Sequence, residues 1–291
     1  MTSTAWRSET LDLTAYLEYL GVPRRRPGRA ALTELYLAHL RAFTFDNIDV
    51  LLGRHPGVDL SAVQDKFLGR GRGGYCFEHA TLFAAALEQL GYPVVRRLGR
   101  VGDPAGSART HMVVEVEVDG RRLLADPGFG FSLLRPIPMR HLAQDTVAGA
   151  TFRIVRSADA HGASWELQRL RRSGWERMHT TDECTVLPAD IAVGHHYTST
   201  HPDSVFRRML VVARFLADGR HVTLTHNAVT IRKPGAGTVH RSLQPGEFDI
   251  RLGELGAALT PGEAGRLAER RTALNAGASS SVALDHTPDH S

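Results

Sequence analysis

The chain has 291 residues, with 35 Lys and Arg against 31 Asp and Glu, a formal net charge of +4, and 42% hydrophobic against 23% charged residues. At about 150 residues per domain that length holds one large or two to three small packed units, and the composition excludes collagen, coiled coil, low-complexity scaffold and disorder. An excess of four charges, with scattered arginines and no aromatic-interleaved basic stripe, argues against nucleic acid as a partner. Lys66 and Lys233 are the only lysines; the arginine bias reads first as composition and second as a capacity to bind phosphate. No stretch approaches the ~20 apolar residues that span a bilayer, and the opening MTSTAWRSETLDL lacks the apolar core of a secretion signal, so a cytoplasmic location away from membranes is expected. Cys76 and Cys184, the only cysteines, are too few for a disulfide framework or a four-cysteine zinc site.

Up to about residue 91 the pattern is helical. Leu13, Tyr16, Leu17 and Leu20 fall at i, i+3, i+4 and i+7 before the stop signals Gly21 and Pro23, and Leu32, Leu35, Tyr36, Leu40 and Phe43 repeat the period. A third apolar helix runs from Phe77 to Leu90 directly after GRGGY, which places Cys76 at its start. Beyond Gly91 the period becomes two: VVRRLGRV, MVVEVEV, RRLLAD, TFRIV and WELQRL read as strands of a small antiparallel sheet or barrel. HPDSVFRRMLVVARF reads as a helix or a helix–strand mix, HVTLTHNAVTIRK as a strand pair, and LTPGEAGRLAERRTAL as a last helix with Pro261 and Glu263 in its first turn. The division expected is residues 1–91 helical, 92–200 β-barrel, 201–275 α/β, and a flexible tail over 276–291.

Cys76 follows Arg72, Gly73, Gly74 and Tyr75. Glycines let the chain turn sharply into a helix, whose free N–H groups and partial positive charge favour a thiolate. A lone helical cysteine is more often an inert core residue, and Cys184, without such a context, is read that way. EVEVDGRRLL carries Asp-Gly as a two-residue hairpin turn, which pairs residues whose numbers sum to 239. That register sets Glu117 opposite Arg122 and gathers Val114, Val116, Val118, Leu123 and Ala125 on one face. On the other face Asp126 lies opposite Val113 and diagonal to His111, within reach of a hydrogen bond. Fifteen histidines make a chance His–Asp neighbour common. A helix-terminal cysteine, a histidine and an orienting carboxylate are nonetheless the parts of a thiol acyl-transfer site. Two other readings use the same residues: zinc held by Cys76, His79, His111 and Asp126, and a phosphate loop at GRGRGG, which lacks the Gly-Lys-Ser/Thr ending.

RGGYCFE around Cys76, THM around His111 and DPGFG from Asp126 resemble, in order and spacing, the nucleophile, base and carboxylate segments of the arylamine N-acetyltransferase family. FTFDNID at 43–49 and YTSTHPDSVF at 197–206 add to a resemblance spanning roughly residues 10–270. It implies an α+β fold with a transglutaminase-like cysteine core: an N-terminal helical bundle, a central antiparallel β-barrel and a C-terminal α/β lid. It implies ping-pong transfer from acetyl-CoA to an aromatic amine, hydroxylamine or hydrazine, without a metal, with Cys76 as nucleophile, His111 as base and Asp126 as its orienter. Gly128, Phe129 and Gly130 match the coenzyme loop, Phe45 and Phe129 the acceptor pocket, and Arg72 with the carboxylate of the FDN segment a structural ion pair. Asp46 stands where the family usually has Glu, and Pro127, where a small aliphatic residue is usual, removes an N–H after Asp126. Alternatives with the same chain order are an amide synthase acting on carrier-bound acyl chains and a cysteine peptidase or transglutaminase; a non-enzymatic binding module stands outside that chemistry.

Overall fold

In the computed structural model, which describes residues 4–131, 133–147, 149–159 and 162–284, the early helical period becomes α1 (Leu13–Leu20), α2 (Arg29–Ala42), α3 (Ile48–Leu51), α4 (Leu60–Gln64) and α5 (Cys76–Gln89), with a two-residue strand β1 (Phe45–Asp46) between α2 and α3. Local chemistry sets the ends. The Asp12 side chain accepts the Ala15 N–H at the start of α1, and Gly21 closes that helix in the left-handed region at φ 66°. Helix α5 is buried over Cys76 to Leu87, as its near-continuous apolar sequence requires. It shares one core with Leu17, Leu32 and Tyr36 on one side and Val114, Val116 and Leu123 on the other.

The period-two region forms β2 (Val94–Val101), β3 (Arg109–Val118), β4 (Arg121–Ala125), β5 (Ile137–Pro138), β6 (Gln144–Val147), β7 (Ala150–Asp159), β8 (Gly162–Arg171) and β9 (Gly174–Asp182). They make one antiparallel sheet in the order β5-β4-β3-β2-β9-β8-β7-β6, curled into a nearly closed barrel. Its inward face packs Val113, Leu124, Phe152, Ile154 and Leu167, so β3 is buried on both faces. The β3–β4 hairpin has the expected register, from Val118 opposite Arg121 to Val114 opposite Ala125, with Asp119 and Gly120 both at positive φ. Arg122, however, bonds diagonally to Glu115 at 2.8 Å and to Glu183 at 3.0 Å rather than to Glu117 opposite it. Glu115 is buried and must be compensated; Glu117 is exposed to water.

The remainder forms α6 (Pro188–Thr200), α7 (Val205–Arg208), β10 (Val211–Phe215), β11 (His221–Thr225), β12 (Ala228–Lys233), β13 (Gly237–Ser242), α8 (Glu247–Leu255) and α9 (Pro261–Leu284). A second sheet runs β1-β10-β11-β12-β13, so the strand beside the nucleophile loop is also the edge of the C-terminal sheet. Ile48 and Leu51 accordingly pack with Val212, Leu224, Phe248 and Leu252. Residues 201–215 are the helix–strand mix expected. The sequence reading lacks α6, β9, β13 and α8, whose mixed composition carries weak periodicity. Helix α9 runs on through residues 276–284 of the segment expected as a tail, and 285–291 lie outside the described residues. Among the described residues no helix is long and apolar enough to cross a membrane.

Candidate active site

The nucleophile segment is shaped by close approach. Gly71 makes the turn at φ 62°, whereas Gly73 and Gly74 sit where a Cβ would overlap the Thr44 carbonyl and the Glu78 carboxylate. The backbone there is stitched to β1: the Gly74 N–H donates to Thr44 O at 3.1 Å and the Asp46 N–H to Gly74 O at 2.7 Å. The Tyr75 N–H donates to Glu78 Oε2 at 3.0 Å, which fixes the entry into α5 with Cys76 as its first residue. Burial opposes charge on Glu78, but Lys66 Nζ at 2.8 Å, with His55, holds its carboxyl down to about 2. Lys66 also meets Asp49 at 3.0 Å.

The expected ion pair between Arg72 and Asp46 does not form. Arg72 bonds to Asp49 at 2.9 Å, to the Ala258 carbonyl at 2.9 Å and to Glu263. Asp46, one methylene shorter than Glu, folds onto its own turn and accepts from Thr44 Oγ1 at 2.7 Å and the Ile48 N–H at 3.2 Å. The nucleophile loop is thereby tied to the start of α9.

Cys76 Sγ lies 3.6 Å from the Thr110 carbonyl, beside His111. His111 Nε2 lies 3.1 Å from Asp126 Oδ1, and all three side chains are buried. Burial alone would lower His111, but the Asp126 carboxylate outweighs it and Cys76 adds to the pull, raising the imidazole to about 10. Burial opposes charge on Asp126 likewise, yet His111 and His179 together hold its carboxyl well below the usual range. His179, absent from the sequence reading, places Nε2 3.2 Å from Asp126 Oδ2. It lies on β9, two strands from His111, with side-chain-free Gly99 of β2 paired between His111 and Thr181. Nothing local in RMHTTDE signals this, because strand order across β2 is a tertiary outcome.

The zinc reading loses its second histidine. His79 Nδ1 faces His39 Nε2 at 2.9 Å and its Nε2 faces the Thr44 carbonyl at 3.0 Å, so it belongs to the core. Among the described residues His111, Asp126 and His179 bring possible ligand atoms within 4.8 Å of one another, but those atoms already face each other through shared protons. Cys184 is exposed and does not line the cleft.

Cys76, His111 and Gly128 open onto a cavity of about 410 Å³, walled by Phe45, Phe129 and Thr110 and, from α6 to α7, by Tyr197, Val205 and Phe206. Gly128 lies directly over Cys76: a Cβ there would stand 2.5 Å from its Cα. The Phe129 ring stands edge-on to His111 at 5.0 Å. Gly130, at φ 81°, approaches Phe45, and its carbonyl accepts from His221 Nε2 at 2.9 Å. Before Pro127 the Asp126 carbonyl takes the Tyr36 hydroxyl at 2.8 Å. Cys76, His111, Gly128, Phe129 and Phe45 line this cleft, Asp126, Gly130 and Arg72 lie in the loops beside it, and the ion pair expected of Asp46 is made by Asp49.

A family model described as N-acetyltransferase matches residues 30–254. The arylamine N-acetyltransferase of Mycolicibacterium smegmatis is 35% identical over 264 residues, covering 84% of this chain and 94% of the relative. In fold the chain is similar to the Nocardia farcinica arylamine N-acetyltransferase, with a TM-score of 0.81, 36% identity and coverage of 92% and 95%. It is also similar to the Mycobacterium marinum arylamine N-acetyltransferase in complex with CoA, with a TM-score of 0.76, 30% identity and coverage of 89% and 98%.

Proposed function

Because this chain belongs to the arylamine N-acetyltransferase family of acyltransferases, we propose that it transfers the acetyl group of acetyl-CoA to aromatic amines, arylhydroxylamines or hydrazines through a thioester on Cys76. One observation carries this reading: a buried thiol at a helix start and an imidazole held from behind by the buried Asp126 line the same cleft. Gly128 and Gly130, where a Cβ would meet the Cys76 backbone and the Phe45 ring, let the loop after Asp126 pack closely against the thiol and one wall of the cleft.

In the first half-reaction His111 holds the thiol proton and the Cys76 sulfur attacks the acetyl carbonyl carbon. The Glu78 and His79 N–H groups of α5 already donate to the Tyr75 carbonyl, which leaves those of Cys76 and Phe77 to meet the developing oxyanion, and such a donor contributes roughly 3–4 kcal/mol. The bond from the carbonyl carbon to the coenzyme sulfur then breaks, and that sulfur leaves with the His111 proton. Having given up that proton, His111 is neutral and can act as a base, still held by Asp126, the larger cause of its raised value, while acetylation removes the smaller contributions of Cys76. The amine nitrogen attacks the thioester, His111 takes its proton and returns one to the Cys76 sulfur as the thioester bond breaks. Aromatic amines are uncharged near neutral pH, so exclusion of water matters more than activation of the acceptor. Tyr197, Val205 and Phe206, which wall the cleft on the side of α6 and α7, supply that cover.

Incubation with acetyl-CoA and no amine is expected to add one acetyl group, at Cys76, by intact mass. Full transfer activity with Cys76 never modified would end the mechanism. Thiol release measured with acetyl-CoA and with carrier-bound acyl thioesters, against one aniline and one hydrazine, separates this reading from an amide synthase.

A further inference from the structure

We propose that His179 is a positioning residue for this reaction: its Nε2–H holds the second oxygen of Asp126, aims the first at His111, and limits how strongly the carboxylate draws the His111 proton. This rests on the reading of His111 as the base.

The two Asp126 oxygens are divided between two imidazoles, Oδ1 to His111 at 3.1 Å and Oδ2 to His179 at 3.2 Å. Asp126 is fully buried, and the His111 and His179 rings lie 5.0 Å apart. An ionised carboxylate only accepts, so both facing nitrogens carry hydrogen. For His179 this selects the Nε2–H tautomer and leaves Nδ1 a bare lone pair. Nδ1 is indeed buried without a partner among the described residues. An imidazolium at His179 would instead bury a second N–H with no acceptor, beside another cation.

The groups around the pair are few: His111 from β3, Asp126 after β4, Cys76 from α5, and Tyr36 of α2, whose hydroxyl donates to the Asp126 carbonyl. Phe129 packs against both rings and carries no charge. With the Cys76 sulfur capped or acetylated, one buried anion balances one buried cation. His111, which also faces the sulfur, takes the charge, while burial keeps His179 neutral. A hydrogen bond to a carboxylate stabilises its anion and weakens its hold on a neighbouring proton. Removing the His179 donor therefore makes His111 harder to deprotonate and leaves Oδ2 free to rotate.

The test uses the full chain with Cys76 capped by iodoacetamide, its imidazole nitrogens followed by long-range ¹H–¹⁵N NMR. His179 is expected to stay neutral with its proton on Nε2 between about pH 5 and 9. His179→Phe, which keeps bulk without a donor, is expected to raise the His111 midpoint by about half a unit or more, and His179→Gln, with an amide N–H near the Nε2 position, to restore it to within about 0.2. In single-turnover breakdown of the acetyl-enzyme by a hydrazine, the acid limb moves upward in His179→Phe and stays in His179→Gln. A His179 that titrates in this range or carries its proton on Nδ1, an unmoved His111 in His179→Phe, or equal displacement in both variants overturns the proposal. If His179→Phe does not fold, the charge and tautomer of His179 in the wild-type chain decide alone. Because the capped protein needs no acetyl donor, the expected shifts without detectable acetyl transfer would refute the proposed reaction and leave the positioning role standing.

Discussion

Asp126 is required to accept twice, and that requirement predicts how it fails. An asparagine offers one oxygen and one NH₂, so Asp126→Asn can satisfy one imidazole N–H while opposing the other with its own N–H. The His111 tautomer that leaves Nδ1 free for Cys76 loses its support. Acetyl transfer is expected to fall by about 10³–10⁴-fold, as for an Asp-to-Asn change in an analogous triad, with circular dichroism unchanged. Transfer within a few-fold of wild type would show that Asp126 is not the orienter. Gly128 is as tightly constrained for a steric reason. An alanine Cβ there would meet the backbone of Cys76, at 2.5 Å from Cα and 3.0 Å from the carbonyl oxygen, and no side chain can swing aside to accommodate it. Gly128→Ala is expected to cost roughly 1–3 kcal/mol of stability through overpacking. It should also slow Cys76 acetylation in an intact-mass time course, and a normal rate would show that the loop and the nucleophile are not in contact.

At the level of elements, Arg72 links three parts of the chain that are far apart in sequence: α3 through Asp49, the loop before α9 through the Ala258 carbonyl, and the first turn of α9 through Glu263. Removing one partner of a buried ion pair typically costs 3–5 kcal/mol, and Lys66 still neutralises Asp49, so Arg72→Ala is expected near the lower end, about 3 kcal/mol by urea denaturation. Proteolysis should then begin in α9, and Glu263→Gln added to Arg72→Ala should cost less than the two single changes summed. Additive effects would mean that Arg72 and Glu263 do not act together. This linkage also marks where sequence reasoning ran out. The hairpin carrying His111 and Asp126 was legible because two residues of turn chemistry set its register and hence the diagonal between them. The partner of Arg72 was not, since one methylene decides whether the carboxylate at 46 reaches out or folds back, and Asp49 lies on a helix of only four residues. His179 and the pairing of β1 with β10 depend on which distant strands become neighbours, which no local period records.

The whole molecule carries two opposed sets of histidines, and they predict its response to acid. His39 and His79 form a directed chain in which the Tyr16 hydroxyl meets His39 Nδ1, His39 Nε2 meets His79 Nδ1, and His79 Nε2 donates to the Thr44 carbonyl. A proton added to either ring would set N–H against N–H or displace the tyrosine. Burial lowers both, His79 to about 4, and burial beside Arg232 lowers His221 to about 3. The unfolded chain protonates these groups near pH 6.5 while the folded chain does not, so the unfolded state binds more protons and stability falls as pH drops from about 6.5 toward 4. Each buried histidine contributes at most about 1.4 kcal/mol per pH unit, so these three alone give a slope of up to about 4, to which His179 and His195, also lowered by burial, add. His111 has the opposite sign. Its folded value is raised, so its contribution is complete below about pH 6.5 and is lost as pH climbs toward 10, leaving the acid slope uncompensated. Asp126, held low, contributes above about pH 4 and adds to the loss only below it. Unfolding free energies measured in urea should therefore peak near pH 6.5, decline steeply to pH 4.5 and fall more gently toward pH 10. His221→Gln, which keeps an N–H donor for the Gly130 carbonyl, should lower the acid slope by at most about 1.4 kcal/mol per pH unit. A flat profile over this interval would mean that the buried histidines are charged in the folded protein, and the directed chain from Tyr16 to Thr44 would have to be abandoned.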